Sequence, residues 1–298
     1  MINILTTALH FIGITIFSAA LGLFFMGIAR KIVARIQKRY GPPIYQPYLD
    51  VIKLFGKKAI THGFIFDFGT IMAFGGVIAT LFFVPLGAWT LYSLNGTVVL
   101  IIYLLAIASL GMAMGTVGSG NPQASIGISR ALTQMLGYEL PYLVILFGLI
   151  YKYQTSSVFG LAQAQAGGIM NWNLFTYPVA TVLAFVILIG MTGKKPFDAM
   201  IAPSEIGSGP VVESGGKYLG MMMLQKSITI IVELALFVNL FLGGADNILS
   251  FSIKMLIVWI LATMVGSLFP RFKIEEGVKF FWKWPLIIAI IQVLFIIY

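Results

Sequence analysis

The stretch YLGMMMLQKSITIIVELALFVNLFLG, residues 218–243, decides the class of fold. It is almost wholly apolar and exceeds the run of about 20 residues that crosses a bilayer as a helix. In lipid a helix satisfies its own backbone hydrogen bonds, and the stretch lacks the alternation of apolar and polar residues that a membrane β-barrel requires. We therefore predict a transmembrane helix here.

The same pattern recurs along the chain of 298 residues, of which 59% are hydrophobic and only 10% charged. We predict an all-α polytopic membrane protein with one transmembrane domain over residues 1–298. The first apolar run lacks a preceding basic segment and a small-residue cleavage site, so we expect a span there rather than a cleaved signal. Eight spans are predicted, at about 4–29, 65–88, 97–118, 132–151, 175–193, 218–243, 247–269 and 277–298.

Basic residues are concentrated in alternate connections, and the opposite loops hold essentially Lys152 alone. By the positive-inside rule the basic connections are cytoplasmic, which places both termini outside. The net charge of +9 is then mostly a topology signal, with some anchoring at anionic lipid headgroups, and it does not favour nucleic-acid binding. The predicted cytoplasmic loops are 30–64, 119–131, 194–217 and 270–276.

The first of these loops contains a predicted short helix. Glycine and prolines at 41–43 break any helix before it, and Gln46–Phe55 then has apolar residues at spacings of three and four. Asp50 and Lys53 lie on the polar side of this pattern. An amphipathic helix lying flat on the membrane surface fits the pattern, either as an interfacial support or as part of a docking surface.

The loop KKPFDAMIAPSEIGSGPVVESGGK, residues 194–217, contains three of the chain's ten acids, Asp198, Glu205 and Glu213. Its prolines and glycines exclude a long regular helix, so the segment is predicted to be irregular. Irregular backbone near membrane depth is tolerated only against protein or a wet cavity. The acids therefore either line a polar cavity or belong to an ordinary solvated loop.

Three further charges, Glu139, Lys226 and Glu233, fall inside predicted spans. A charge at mid-membrane costs about 2.5 kcal/mol or more, so such residues suggest a function. Lys226 and Glu233 are seven residues apart, which places them on one face of a helix about two turns apart. A carboxylate that alternates between lysine-paired and hydrated states would change its proton affinity, as a relay requires. A static buried ion pair remains the alternative.

The chain has no cysteine and only two histidines. It therefore supplies no disulfide and no thiolate ligand for zinc or iron–sulfur clusters, and any redox centre must belong to a partner. His10 and His62 have no second histidine or acid at metal-ligand spacing. We expect them to be packing or loop residues, and we expect no metal site.

Three ordered motifs carry a family resemblance: RIQKRYGPPIYQPYLDVIKLF (35–55), GSGNPQASIGISRALTQMLGYELP (118–141) and PFD (196–198). They resemble the subunit 1 (H-type) family of respiratory complex I and its relatives in energy-converting membrane hydrogenases. The resemblance implies eight spans, an outward N-terminus and no cofactor in this chain. Iron–sulfur clusters, and in hydrogenase relatives a nickel–iron centre, would belong to peripheral subunits on the cytoplasmic face, beside antiporter-like membrane subunits.

Site residues carry over by position. The resemblance places Asp198, Glu205, Glu213 and Glu139 on an ion path, to which the intramembrane Lys226 and Glu233 are added. Arg35, Arg39, Asp50 and Lys53 are the predicted docking residues for the peripheral arm. Glutamates of the family pattern are absent at four positions, occupied here by Met191, Ile201, Pro203 and Lys226.

This thinned acidic path favours a hydrogenase or sulfur-reductase relative over a quinone-linked one. The predicted function is coupling of redox chemistry to ion translocation in the plasma membrane of a prokaryote, with electron acceptor and pumped ion, proton or sodium, left open. The alternatives are a stand-alone secondary transporter and a passive membrane anchor of a reductase. The chain shows no inverted repeat of the transporter kind, and an anchor would leave Glu139 and Glu233 without a task.

Overall fold

The computed structural model describes residues 4–87, 89, 96–201 and 203–297, and the regular structure in these ranges is helical. This confirms the all-α prediction. Two short 3₁₀ turns occupy Ile169–Asn171 and Gly209–Val211. The α-helices are α1 (Ile4–Ile36), α2 (Gln46–Phe55), α3 (Phe64–Thr80), α4 (Val98–Gly118), α5 (Pro122–Tyr153), α6 (Val158–Gln163), α7 (Asn173–Thr176), α8 (Pro178–Met191), α9 (Pro203–Ile206), α10 (Gly216–Phe241), α11 (Ile248–Leu268), α12 (Ile274–Lys283) and α13 (Pro285–Ile297).

Six helical segments among the described residues are long and apolar enough to cross a membrane: α1, α4, α5, α10, α11 and the consecutive pair α12 and α13. Each coincides with a predicted span. The other two predicted spans, 65–88 and 175–193, contain the shorter apolar helices α3 and α8. Residues 88 and 298, at the ends of two predicted spans, lie outside the described residues.

Proline explains both shorter helices. After α3 the chain turns through residues 81–84 to Pro85, which cannot continue a helix. Before α8, Tyr177 has φ −132° and ψ 64°, well outside the helical region, as the residue preceding a proline tends to be. The break at Pro178 therefore separates the single turn of α7 from α8.

Two of the predicted cytoplasmic loops, 119–131 and 194–217, differ in how much helix they contain. α5 begins at Pro122, so most of the loop predicted at 119–131 is in fact helical. Asn121 caps this helix, because its Oδ1 accepts a hydrogen bond from the Gln123 amide at 2.8 Å. The described residues of the 194–217 segment are irregular as predicted up to the start of α10 at Gly216, with regular structure limited to α9 and a 3₁₀ turn and with positive φ at Gly207 and Gly209.

The chain forms two compact units. The first comprises residues 1–82, 102–131 and 200–232, and the second comprises 83–101, 132–199 and 233–298. The division passes within α4, α5 and α10.

In the first unit α2 packs on α1 with the predicted bounds of Gln46–Phe55. The Tyr48 hydroxyl donates to the Ala20 carbonyl at 2.7 Å, and burial raises the pKa of Tyr48, which keeps this donor protonated. Pro47 and Val51 are buried, whereas Leu49, Ile52 and Phe55 remain largely exposed. Some apolar residues of α2 are thus buried against the rest of the first unit, and others are exposed on its surface.

Helices α3 and α4 approach closely through glycines in the first unit. A side chain at Gly69 would overlap the backbone of Gly115 and Gly111, and a side chain at Gly111 would overlap the Ala73 backbone. Small residues at such crossings let membrane helices pack backbone to backbone. The α3–α4 contact therefore depends on the absence of side chains at these positions.

We expect Gly69→Val to destabilise the protein by about 3 kcal/mol, since backbone cannot move aside to relieve the overlap. The loss would be measured as a lower temperature for loss of the monodisperse peak in detergent. Gly75→Val is the matched control on the same helix, because nothing lies within 4 Å of a Cβ at Gly75. Equal stability of the two variants would contradict the proposed packing.

In the second unit, α8 packs against α11 and α13. The C-terminal end of α10 is capped by Gln165 and Asn173, which donate to carbonyls of its last turn and so satisfy groups that a helix leaves free. Lys254 Nζ donates to the carbonyls of Leu242 at 2.8 Å and Gly244 at 2.5 Å, and lies 3.9 Å from the centre of the Trp172 ring. Lys254 thus holds the segment that follows α10.

Candidate functional site

Glu213 is the acid with the most varied partners in the first unit. Its Oε1 accepts a hydrogen bond from Asn121 Nδ2 at 2.5 Å, and Asn121 is also the N-cap of α5. His62 Nε2 lies 3.2 Å from the Glu213 backbone carbonyl and 3.9 Å from Oε2. The side chains of His62 and Glu213 are 26% and 35% exposed, so water reaches both. Glu213 is therefore fixed at one oxygen and approached by an imidazole at the other.

Glu205, also in the first unit, has a different environment. Its Oε2 accepts from Arg130 Nη1 at 2.8 Å, and its side chain is 49% exposed. The loop that carries Glu205 lies directly on α5, since a side chain at Gly127 would meet Gly209 and the Met200 carbonyl. Arg130 thus anchors an exposed acid to the first turns of α5.

A second carboxylate of the first unit lies near His62. Asp67 interacts electrostatically with the hydroxyl of Tyr218, which is 7% exposed. Phe66 contacts both rings edge to face, at 5.0 Å from His62 and 5.1 Å from Tyr218 between ring centres. His62, Phe66 and Tyr218 therefore form a continuous row of rings at the start of α3 and α10.

Asp198, in the second unit, is held by two hydrogen bonds from one arginine. Arg271 Nε donates to Asp198 Oδ1 at 2.7 Å, and Arg271 Nη2 donates to Oδ2 at 2.9 Å. The arginine side chain is 18% exposed and the aspartate side chain is 20% exposed. The neighbouring Phe197 packs 4.5 Å from Phe281, and its carbonyl accepts from Gln134 at 2.6 Å. Within the PFD motif, Asp198 is thus held by Arg271, and Phe197 is held by Phe281 and Gln134.

The other two intramembrane acids of the second unit are associated with tyrosines. Glu233 on α10 is 6% exposed, and Glu139 on α5 is half-buried. Both carboxylates act electrostatically on the Tyr138 hydroxyl, and Glu233 also acts on that of Tyr142. Glu139 and Glu233 therefore both interact electrostatically with the hydroxyl of Tyr138, which shares one face of α5 with Tyr142.

That face has a regular spacing. Gln134, Tyr138 and Tyr142 follow at intervals of four residues, which places them on one side of a helix, one turn apart. The acids could be identified from the sequence, but these three polar residues were missed. Their four-residue spacing was the available signal.

Lys226 and Glu233 both lie on α10, as predicted, with Lys226 in the first unit and Glu233 in the second. Glu205 and Glu213 likewise belong to the first unit, while Asp198 and Glu139 belong to the second. Each unit therefore contains three of the six predicted ion-path residues.

The predicted docking residues separate into two kinds. Arg35, Arg39 and Lys53 are exposed at the end of α1 and along α2. Asp50 instead accepts hydrogen bonds from Arg30 at 3.2 Å and from Gln46 at 2.8 Å, so it ties α2 to α1. The basic residues of the set are thus at the surface, whereas Asp50 is engaged within the chain.

Several partners of the acids were not identified from the sequence. His62 lies in the loop before α3, as expected, but its contact with Glu213 was not anticipated. Asn121, Arg130 and Arg271 were noted at most for topology or motif membership. Among the described residues no group of three or more histidine, aspartate or glutamate side chains is placed to hold a metal ion.

These observations define a class: a multi-pass helical membrane protein with partly buried acids held by arginine, asparagine and tyrosine partners. A profile of the NADH dehydrogenase family matches residues 9–297, and the chain belongs to that family. The resemblance to the subunit 1 family of complex I is thereby confirmed.

Particular relatives support the assignment. The chain is 29% identical over 296 residues to the H-type subunit of the F(420)H(2) dehydrogenase of Methanosarcina mazei, covering 88% of this chain and 84% of the relative. It is 26% identical over 284 residues to the H-type subunit of the NADH-quinone oxidoreductase of Jannaschia sp., covering 87% and 81%. A chain of the membrane-bound sulfane sulfur reductase, an archaeal respiratory membrane complex, superposes with a TM-score of 0.93 at 41% identity, covering 98% and 99%.

Proposed function

We propose that the chain is the membrane coupling subunit of a complex-I-like, redox-driven ion pump of hydrogenase or sulfur-reductase type. The observation that carries the proposal is the set of acids in irregular and membrane-spanning segments of a chain of this family, among which Asp198, Glu205 and Glu213 have defined polar partners. The match to a sulfane sulfur reductase chain over nearly its whole length supports the sulfur-reductase type. The host membrane is the plasma membrane of a prokaryote.

The chain crosses the membrane eight times in this proposal, with the N-terminus outside. α3 has 17 residues and rises about 26 Å, close to the hydrocarbon thickness of ~30 Å, so flanking turns complete the crossing. α8 is completed in the same way by α7 before it. The bias of lysine and arginine toward alternate connections supports this orientation.

The ion path comprises Asp198, Glu205, Glu213, Glu139, Lys226 and Glu233. Glu213, Glu139 and Glu233 are the proton carriers within it, because Glu213 has an amide and an imidazole as partners and the other two interact with the Tyr138 hydroxyl. Asp198 and Glu205 have oxygens occupied by arginine and act mainly as anchors for the loop. Lys226 supplies a positive charge on the helix that carries Glu233.

The peripheral redox arm docks on the cytoplasmic face against Arg35, Arg39 and Lys53, with Asp50 holding α2 in place for them. Lys31 and Arg35 lie over the ring of the exposed Tyr40, which orients this basic surface. Since the chain has no cysteine, iron–sulfur clusters and any nickel–iron centre would belong to that arm. Antiporter-like subunits complete the membrane part.

Purification from native membranes in mild detergent tests this function. We expect the chain to copurify with soluble subunits whose iron–sulfur clusters are detectable by electron paramagnetic resonance. The isolated chain, reconstituted alone in vesicles, is expected to move no solute or ion above the leak of empty vesicles. Substantial transport by the isolated chain would instead identify a secondary transporter, and a complex that passes electrons without any ion movement would identify a passive anchor.

A further inference from the structure

We propose that His62 is the proton-exchange partner of Glu213, taking up a proton from the cytoplasm and passing it to the Glu213 carboxylate. The inference rests on the proposed function, because it concerns how the acid path is loaded. It assigns a role to a histidine that lies outside the family motifs quoted above.

The geometry is specific to one ring nitrogen. His62 Nε2 lies between two oxygens of the same residue, 3.2 Å from the Glu213 backbone carbonyl and 3.9 Å from carboxylate Oε2. The other carboxylate oxygen, Oε1, is engaged by Asn121, so the free oxygen is the one on the imidazole side. A small rotation of the Glu213 side chain, or one bridging water, closes the remaining gap.

The transfer step is balanced. The Nε2–H bond of the imidazolium breaks and an Oε2–H bond forms, leaving a neutral imidazole and a carboxylic acid. Imidazole is suited to this because it is the side chain whose charge ordinarily changes between about pH 5 and 8. Its partial exposure of 26% lets the ring exchange protons with water between transfers.

The surroundings hold the ring in this position. Phe66, which is 1% exposed, contacts the His62 ring edge to face, and Tyr218 packs on the other side of Phe66. A side chain at Gly216 would meet the carbonyls of Lys57 and Lys58, so the segment leading to His62 lies directly against the start of α10. The charged and titratable groups on the elements around His62 are Glu213, Asp67, Tyr218, Lys217, Lys57 and Lys58.

The test uses the purified whole complex in proteoliposomes and measures proton uptake per electron between pH 5.5 and 8.5, the range about the ordinary titration of imidazole. His62→Gln keeps a donor for the Glu213 carbonyl but cannot exchange a proton. We expect it to lower the initial rate of proton uptake by roughly 10-fold and to flatten the pH dependence of that rate. This loss is smaller than the rate enhancement that a positioned acid or base can supply, because water also reaches Glu213 and can deliver protons to it. His62→Ala should show the same loss and recover when imidazole is added to the medium. His10→Gln, which removes the chain's other histidine, is the matched control and should behave as wild type.

Glu213→Gln is measured in parallel so that the two hypotheses fail separately. If Glu213→Gln stops proton uptake while His62→Gln keeps the wild-type rate and pH profile, the role of His62 is wrong and the acid path stands. If Glu213→Gln itself pumps normally, the acid path fails at this residue. A His62→Ala variant that assembles and loses uptake without rescue by imidazole would reduce His62 to a structural support.

Discussion

Replacing Arg271 with methionine is expected to lower the stability of the protein by about 3 kcal/mol. Arg271 donates two hydrogen bonds to Asp198, and both side chains are about four-fifths buried. Methionine retains the apolar stem but leaves a partly buried carboxylate without its cation. The loss is measured as a lower temperature at which the detergent-solubilised protein leaves its monodisperse peak.

Arg130→Met is the matched control for this prediction. Arg130 also pairs with a loop acid, Glu205, but that carboxylate is 49% exposed, so water replaces the arginine and the cost should stay below about 1 kcal/mol. The double variant Arg271→Met with Asp198→Leu should recover part of the loss, because it removes the stranded charge as well. Equal losses of stability in Arg271→Met and Arg130→Met would show that burial does not determine how much these ion pairs contribute to the stability of the protein.

Glu139→Gln is expected to leave the complex assembled while lowering ions moved per electron by at least about 10-fold, since a positioned acid or base usually contributes more than that. Glutamine keeps the size and hydrogen bonding of the side chain but removes the titratable proton. Glu139 lies near Tyr138 with Glu233, where proton exchange is proposed. The readout is ion uptake in proteoliposomes during electron transfer to a soluble acceptor.

Glu276→Gln is the control for that variant, because Glu276 is an exposed acid on α12 in the same unit. It should keep both assembly and ion uptake. If Glu139→Gln instead prevents assembly, Glu139 belongs to a static buried ion pair, since removing one charge of such a pair is strongly destabilising.

The helical class, the amphipathic α2 and the irregular acidic loop could be predicted from sequence, because each follows from local composition. An apolar run long enough to cross the bilayer must form a helix, because only a helix satisfies its own backbone hydrogen bonds in lipid. A segment rich in glycine and proline cannot form a long regular helix. The ends of α3 and α8 were missed because hydropathy continues through Pro85 and Pro178, where backbone geometry stops the helix. The helical start of α5 was missed for the opposite reason, since the polar residues after Pro122 form a helix without being apolar.

The acids of the site could be identified because charges are rare in this chain, whereas their partners could not. Arg271, Asn121 and His62 are separated from their acids by 73, 92 and 151 positions. No local periodicity encodes contacts at such separations, which arise only when distant helices pack. The polar face of α5 at Gln134, Tyr138 and Tyr142 is different, because its four-residue spacing is visible in the sequence.

The ratio of ions moved to electrons transferred is the most direct test of the proposed acid relay. It is measured for the wild-type complex and for the double variant Glu139→Gln with Glu213→Gln, both reconstituted in sealed proteoliposomes and checked for assembly. We expect the double variant to pass electrons to a soluble acceptor near the wild-type rate while forming almost no ion gradient. An undiminished ratio in a well-assembled double variant would contradict the relay and would leave these acids as a charged surface for the redox arm.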